Sequence, residues 1–309
     1  MPARYAFLGP EGTFAHAALR TLPGADEAEL VPMATVTLAI LAVRGGTVDG
    51  ALVPLENSIE GAVPATLDEL AGGDLPLHIA QETYLPVEFD LLAGPGTTLA
   101  DVQTVATHPH AEAQVRRYLL SALPNASYVA TTSTAVGAQE VLAGRADAAV
   151  APRVAGALYG LTALAGDIAD HPGAVTRFVL LVQARRPSPP TGNDRTTIVA
   201  YLREDHSGAL LEILTEFAVR GVNLTRIESR PTKGALGQYC FSIDCEGHIE
   251  DARVGDAIAS IHRICADVRF LGSYPRTDGM QGPVPFGRAD KDFSAASEWL
   301  ASIRERGFA

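Results

Sequence analysis

A chain of 309 residues with 47% apolar and 19% charged side chains has room for two globular domains of ordinary size and is too apolar to be disordered. Its formal net charge of −12, with no run of Lys and Arg to offset it, excludes the phosphate backbone of a nucleic acid as a partner. No apolar stretch approaches the roughly 20 residues of a membrane span. The first residues, Met1-Pro2-Ala3-Arg4 before Tyr5-Ala6-Phe7-Leu8, lack the apolar core of a secretory signal, so no membrane role is expected and the expected location is the cytoplasm.

Strand-like and helical runs alternate through the first 185 residues. A strand at Arg4 to Leu8 leads to a helix from about Thr13 to Leu22, then a helix from about Thr37 to Arg44 and an apolar strand, Gly50 to Leu55. Val102 to Thr107 precedes a helix from about Ala111 to Leu123, and Tyr128 to Thr132 precedes one from about Thr134 to Ala143. The strands Ala148 to Ala151 and Thr176 to Gln183 close the series. Alternation of this kind predicts an α/β domain. Leu77 to Leu92 breaks the pattern by reading as extended throughout, which suits a hinge between two lobes.

Arg186-Pro-Ser-Pro-Pro-Thr-Gly-Asn193 packs prolines and a glycine into the clearest linker of the chain. The expected boundaries are 1–185 for the first domain, 186–194 for the linker, 195–276 for a second domain and 277–309 for a tail. The second domain reads strand (Thr196 to Leu202), helix (Ala209 to Arg220), strand (Leu224 to Ser229), strand (Gln238 to Cys245), helix (Ala252 to Cys265), strand (Val268 to Tyr274). That βαββαβ order is the ferredoxin-like pattern. Its helices carry apolar stripes at Leu210, Leu211, Leu214 and Phe217, and at Val254, Ile258, Ile261 and Ile264 or Cys265. In the tail, Trp299, Leu300 and Ile303 mark one face of a short docking helix.

Cys240, Cys245 and Cys265 have neither metal-ligand spacing nor an even count, and read as core residues. Pro109 between His108 and His110 disfavours the regular helix on which paired zinc ligands sit. No metal is assigned.

Four segments combine polar groups with a strand end, where ligands bind in open α/β sheets. Gly9-Pro10-Glu11-Gly12-Thr13-Phe14 turns a strand into a helix, and its free N–H groups suit an anion. Glu56-Asn57-Ser58-Ile59-Glu60-Gly61 follows the strand ending at Leu55. Ser133 and Thr134 follow another. Thr176-Arg177-Phe178 joins a hydroxyl, a fixed positive charge suited to a carboxylate, and an aromatic ring. Read alone, each also suits a structural role as a turn, a helix cap or an arginine paired with a structural acid.

In order and spacing these segments, together with His108-Pro109, Ser133-Thr-Ala135 and Gly156-Ala-Leu-Tyr-Gly-Leu161, resemble the prephenate dehydratase family along nearly the whole chain. Gly208-Ala209-Leu210-Leu211, Asn223 and Glu228-Ser229-Arg230-Pro231 resemble the ligand motifs of its ACT regulatory domain. The resemblance implies a two-lobed catalytic domain like that of periplasmic binding proteins, joined to a ferredoxin-like ACT domain. It implies conversion of prephenate to phenylpyruvate without a cofactor. Thr176 would contact the leaving hydroxyl and Arg177 would anchor a carboxylate beside Phe178. Glu56 or Glu60 would supply a proton if burial raises its pKa, and Asn57, Ser58, Ser133 and Thr134 would line the cleft. L-Phenylalanine would bind between paired ACT domains and inhibit, in a homodimer or homotetramer. The chain begins at the dehydratase motif, with no helical chorismate mutase segment in front, so it is not expected to make its own prephenate. Arogenate dehydratase and a catalytically silent amino-acid-binding regulator remain the alternatives.

Overall fold

The structure, a computed structural model, describes residues 2–73, 75–232, 239–278 and 286–306. In chain order it begins with β1 (Arg4–Leu8), α1 (Phe14–Leu19), β2 (Glu29–Met33), α2 (Val36–Arg44), β3 (Gly50–Asn57), β4 (Gly61–Ala62), α3 (Pro64–Ala71) and β5 (Leu77–Pro86). There follow β6 (Asp90–Ala93), β7 (Thr104–Thr107), α4 (Pro109–Ala122), β8 (Ser127–Ala130), α5 (Thr134–Leu142), β9 (Ala148–Ala151), α6 (Arg153–Tyr159), β10 (Thr162–Ala165) and β11 (Val175–Gln183). The last part holds β12 (Asp194–Tyr201), α7 (Ala209–Ala218), β13 (Leu224–Pro231), β14 (Tyr239–Glu246), α8 (Ala252–Ile264), β15 (Asp267–Pro275) and α9 (Asp290–Arg306). The expected strand start at Gln238 lies outside the described residues.

The chain divides into two compact units, one of Met1–Thr66 and Thr83–Leu180, the other of Leu67–Glu82 and Leu181–Ala309. In the first unit one lobe is built on strands in the order β2-β1-β3-β11, with β4 paired to β3, and the other on a sheet of order β10-β6-β9-β7-β8. β1 runs parallel to β2 and β3, and β7 parallel to β8 and β9, as crossover helices require. β6 is antiparallel to both neighbours. The second lobe closes over a core that includes Phe89, Leu91, Val105, Val115 and Val150.

The chain passes between the lobes within the extended stretch read from the sequence, from Pro86 at the end of β5 to Asp90 at the start of β6. The return segment lies alongside, with Val87 N–H donating to the Ala174 carbonyl at 2.7 Å and Ile168 N–H to that of Phe89 at 2.9 Å. Short helices leave the strand ends under side-chain caps. Thr13, Thr35 and Ser133 accept from the backbone N–H groups of His16, Leu38 and Val136. These caps explain why the helices start where the hydroxyl residues stand.

The second unit contains the expected βαββαβ series as an antiparallel sheet of order β13-β14-β12-β15. Ile198, Ile213, Phe217, Ile243, Val254, Ala257 and Ile261 form its core. One expectation is corrected here: the buried stripe of α7 runs through Ala209, Ile213 and Phe217, and Leu211 is 65% exposed. Of the two residues left open at the end of α8, Cys265, which caps it, is buried and Ile264 is exposed. The unit also includes the end of α3, whose last carbonyls receive donors from the sheet. Tyr201 donates to the Ala71 carbonyl and Arg269 to that of Leu70. Such partners replace the hydrogen bonds that a helix end lacks. At the tail, α9 is held at its start, where Asp290 accepts from Arg253 N–H at 3.2 Å, whereas Trp299 is 64% exposed.

Candidate active site

A cavity of about 290 Å³ opens in the first unit where three helices begin. Thr13 and Phe14 come from the start of α1, His108, His110, Ala111 and Gln114 from α4, and Ser133 and Thr134 from α5. Pro54 and Asn57 at the end of β3, Thr176 and Phe178 on β11, and Val87 and Phe89 on the crossing segment complete most of the wall. An adjoining cleft of about 580 Å³ shares Leu8, Thr13, Thr132 and Ser133 with it. Among the described lining residues there is no Lys or Arg and no Asp or Glu. The wall includes the start of α5 at Ser133 and Thr134, where a helix N-terminus favours an anion, whereas α4 opens with Pro109, which has no N–H, and His110, whose N–H is held by His108.

Asn57 and Thr176 meet at this wall. The Asn57 Nδ2 amide donates to Thr176 Oγ1 at 2.8 Å, while its Oδ1 accepts from the N–H groups of Ile59 and Glu60 at 2.8 and 2.9 Å. Those two backbone donors fix which way the amide points. The hydroxyl oxygen of Thr176 thus receives a hydrogen, and its own hydrogen remains to be donated. Ser58 ties the same turn to β11, accepting from Val175 N–H on its Oγ at 2.9 Å and donating its own N–H to the Val175 carbonyl at 2.9 Å.

Strand alternation separates the members of the Thr176-Arg177-Phe178 segment. Thr176 and Phe178 line the cavity, while Arg177 does not line it, is 2% exposed, and donates through Nη1 to Glu56 Oε1 at 2.9 Å. In this geometry Arg177 reaches a carboxylate of the protein rather than a ligand in the cavity. Glu60 also lies outside the lining residues, and accepts from Gln114 Nε2 at 3.2 Å with His110 Nδ1 at 3.9 Å. Ser133 and Thr134 both line the cavity, one as the cap of α5 and the other as its first residue.

His108 caps α4 by accepting on Nδ1 from the N–H of His110 at 3.2 Å, so its proton belongs on Nε2. Burial pushes this imidazole below the usual histidine range, and the neighbouring His110 acts in the same direction. Sequence reasoning named His108 only as part of a motif and did not single out Gln114, Phe89 or Thr132. His108, Phe89 and Thr132 stand next to a strand end, the signal that would have found them, whereas Gln114 lies inside α4, one turn past Pro109. Among the described residues no group of three or more His, Cys, Asp or Glu is placed to hold a metal ion.

In the second unit, Gly208 stands at φ +96° before the first turn of α7, a conformation that glycine tolerates without strain. Tyr201 pairs with Cys240 and Cys240 with Arg230, so the end of β12, which feeds α7, and the end of β13 lie at one end of the sheet. The Gly208–Leu211 and Glu228–Pro231 segments therefore share that end, with β13 at the sheet edge. Asn223 is exposed in the turn before β13, where its carbonyl accepts from Glu246 N–H at 2.9 Å. Arg230 donates through Nε and Nη2 to Asp68 Oδ1 at 3.0 and 2.7 Å.

The family model described as prephenate dehydratase matches residues 5–186, and that of the ACT domain matches residues 196–263. The chain belongs to the prephenate dehydratase family. A prephenate dehydratase of Mycolicibacterium vanbaalenii is 48% identical over 316 residues, covering 97% of this chain and 98% of that one. The crystal structure of the prephenate dehydratase of Arthrobacter aurescens in complex with L-Phe superposes with a TM-score of 0.92 at 48% identity, covering 98% of this chain and 100% of that one. A second solved structure, GqqA, described as a novel type of quorum quenching acylase, is 31% identical with a TM-score of 0.78 and covers 89% of this chain and 98% of that one. The likeness to prephenate dehydratases thus spans both units, including the ACT domain.

Proposed function

We propose that the chain converts prephenate to phenylpyruvate. The ring hydroxyl leaves with one proton as water, the ring carboxylate leaves as carbon dioxide, and the electron pair of the broken carbon–carbon bond completes the aromatic ring. Aromaticity supplies the driving force, so the protein has to orient the dianion, direct a hydrogen to the departing hydroxyl and keep out bulk water. The observation that carries this reading is the Asn57–Thr176 hydrogen bond, which leaves the Thr176 hydrogen to be donated into the cavity. A threonine with no base beside it serves as a hydrogen-bond donor to the departing oxygen, and the proton of the product water comes ultimately from solvent. The N-terminal turn of α5 holds a carboxylate, with Ser133 and Thr134 as neutral donors. Phe178 and Phe89 supply the apolar wall for the ring. Arg177 and Glu56 act behind this wall, fixing β11 against β3.

Acyl transfer, the chemistry named for GqqA, fits the site less well. Thr13, Ser58, Ser133 and Thr176 make their hydrogen bonds to backbone groups or to Asn57, and none is joined to an imidazole or carboxylate that would activate it as a nucleophile. Arogenate, which replaces the keto group by an ammonium, would find no carboxylate among the described lining residues.

The ACT domain serves as a sensor that binds L-phenylalanine at the sheet end shared by Gly208–Leu211 and Glu228–Pro231, between paired copies, and inhibits the catalytic unit. The resemblance to an enzyme crystallised with L-Phe supports this. The enzyme works in the cytoplasm as a homodimer or homotetramer. No helix among the described residues is long and apolar enough to cross a membrane. Incubating the protein with prephenate and following phenylpyruvate by its absorbance in alkali, against a control without enzyme, tests the reading. Turnover suppressed by phenylalanine is expected, and the absence of turnover above the control would overturn it.

A further inference from the structure

The Tyr159 hydroxyl joins the two lobes of the first unit. Tyr159 ends α6 in the lobe built on the β10-β6-β9-β7-β8 sheet, and its Oη donates to the carbonyl of Glu11 in the β1–α1 loop of the other lobe at 2.7 Å. Gln139 Nε2 on α5 donates to the same oxygen at 2.9 Å. With that lone pair taken, the phenol hydrogen is aimed at Glu11. Gly12 makes the approach possible: its φ is +86°, and a Cβ there would stand 3.1 Å from Tyr159 Cε2 and 3.4 Å from Ala155.

The loop's other hydrogen bonds are internal to its own lobe. Gly9 N–H donates to the Met33 carbonyl at 2.9 Å, Gly12 N–H to His16 Nδ1 at 3.0 Å, and Thr13 Oγ1 to the Leu8 carbonyl at 2.9 Å. The same loop carries Thr13 and Phe14 to the cavity wall. The lobes are joined by the segment from Pro86 to Asp90 and the return segment beside it, so a bond from one lobe to this loop favours a form in which the lobes meet over one in which they separate.

We propose that Tyr159 is a positioning residue, a latch that holds the β1–α1 loop against the second lobe and favours the closed cleft over bound substrate. One hydrogen-bonded phenol at a partly exposed site is weak enough to release product, since a net hydrogen bond changes an equilibrium by about fivefold. The Gly156–Leu161 motif gains a role through it. Gly160, at φ +67°, ends α6 directly after Tyr159 and leaves the ring on the loop-facing side.

The inference rests on the dehydratase reading only for the choice of substrate. Steady-state rates with prephenate are measured for the full chain, Tyr159→Phe, Gln139→Leu and the double variant, alongside hydrogen exchange of the peptide spanning Gly9 to Phe14 without substrate. Tyr159→Phe is expected to raise KM about fivefold with kcat and thermal midpoint nearly unchanged, and to speed exchange in that peptide. Gln139→Leu should have a smaller effect and add nothing to Tyr159→Phe, because both act through one oxygen. Unchanged KM and exchange in Tyr159→Phe, equal losses of kcat and stability, or additive effects of the two changes would overturn the latch. If the wild-type chain turns over no prephenate, the dehydratase reading fails while the exchange data still decide the latch.

Discussion

Asn57 donates its side-chain amide to the Thr176 hydroxyl oxygen across 2.8 Å, joining the end of β3 to the start of β11. In the proposed reaction this bond would order the Thr176 donor before substrate arrives, because the opposite end of the Asn57 amide is already held by two backbone N–H groups.

Removing the hydroxyl while keeping the shape tests that role. Thr176→Val should lower kcat by about a hundredfold or more, with KM changed far less, whereas Thr176→Ser should retain activity within about tenfold. Comparable turnover by Val and Ser variants would show that the hydroxyl is not used.

Arg177 gives the opposite expectation, since its guanidinium is buried behind the wall on Glu56. Arg177→Met should lower the unfolding free energy by roughly 2 kcal/mol, less than the roughly 3–5 kcal/mol of a fully buried pair that loses one partner, because Glu56 is part-exposed and can hydrate. KM for prephenate should shift less than about threefold. Denaturant midpoints and Michaelis parameters on one preparation separate the two effects, and a large rise in KM with unchanged stability would restore Arg177 as a substrate anchor.

Stability should also fall on mild acidification through His16. Burial, with Arg20 adding to it and Glu11 opposing, holds this imidazole below its ordinary value of 6.5, and its Nδ1 accepts from Gly12 N–H. Above pH 6.5 the ring is neutral in both folded and unfolded chains and the stability is fully present. As pH falls below that value the unfolded chain takes up a proton that the folded ring resists, so stability drops until the folded ring itself titrates. Urea midpoints between about pH 7.5 and 5.5 should decline, and His16→Asn, which keeps an acceptor without a titrating ring, should flatten the decline. His78 and His108, lowered by burial in the same way, act in the same direction.

Asp68 holds Arg230, within the segment proposed to bind phenylalanine, by two hydrogen bonds. Asp68→Asn should raise the phenylalanine concentration for half-inhibition several-fold while kcat and KM without phenylalanine stay within about twofold. An unaltered inhibition curve would separate this ion pair from the sensor.

The order of elements in the second unit was legible because each strand and helix there carries a regular apolar pattern bounded by turns. The lobes were legible through the unbroken extended stretch at Leu77 to Leu92. Helix α3 was not, since its eight residues from Pro64 to Ala71 carry little periodic signal and its end is stabilised by donors from Tyr201 and Arg269, far along the chain. At the site, the segments were visible but their facing was not used. Reading Thr176-Arg177-Phe178 as a unit placed the guanidinium in the cavity, whereas the alternation of a strand already sets Arg177 opposite its neighbours. Tyr159, Gln139 and Glu11 converge from three elements, and no spacing rule joins residues so far apart.

The compact units do not follow the proline-rich linker. Leu67 to Glu82 folds with the C-terminal part of the chain, and donors from that part close the last turn of α3. A fragment ending near Pro189 would therefore lack the donors to the carbonyls of Leu70 and Ala71. A foreign ACT domain grafted in its place would have to supply donors to the same helix end.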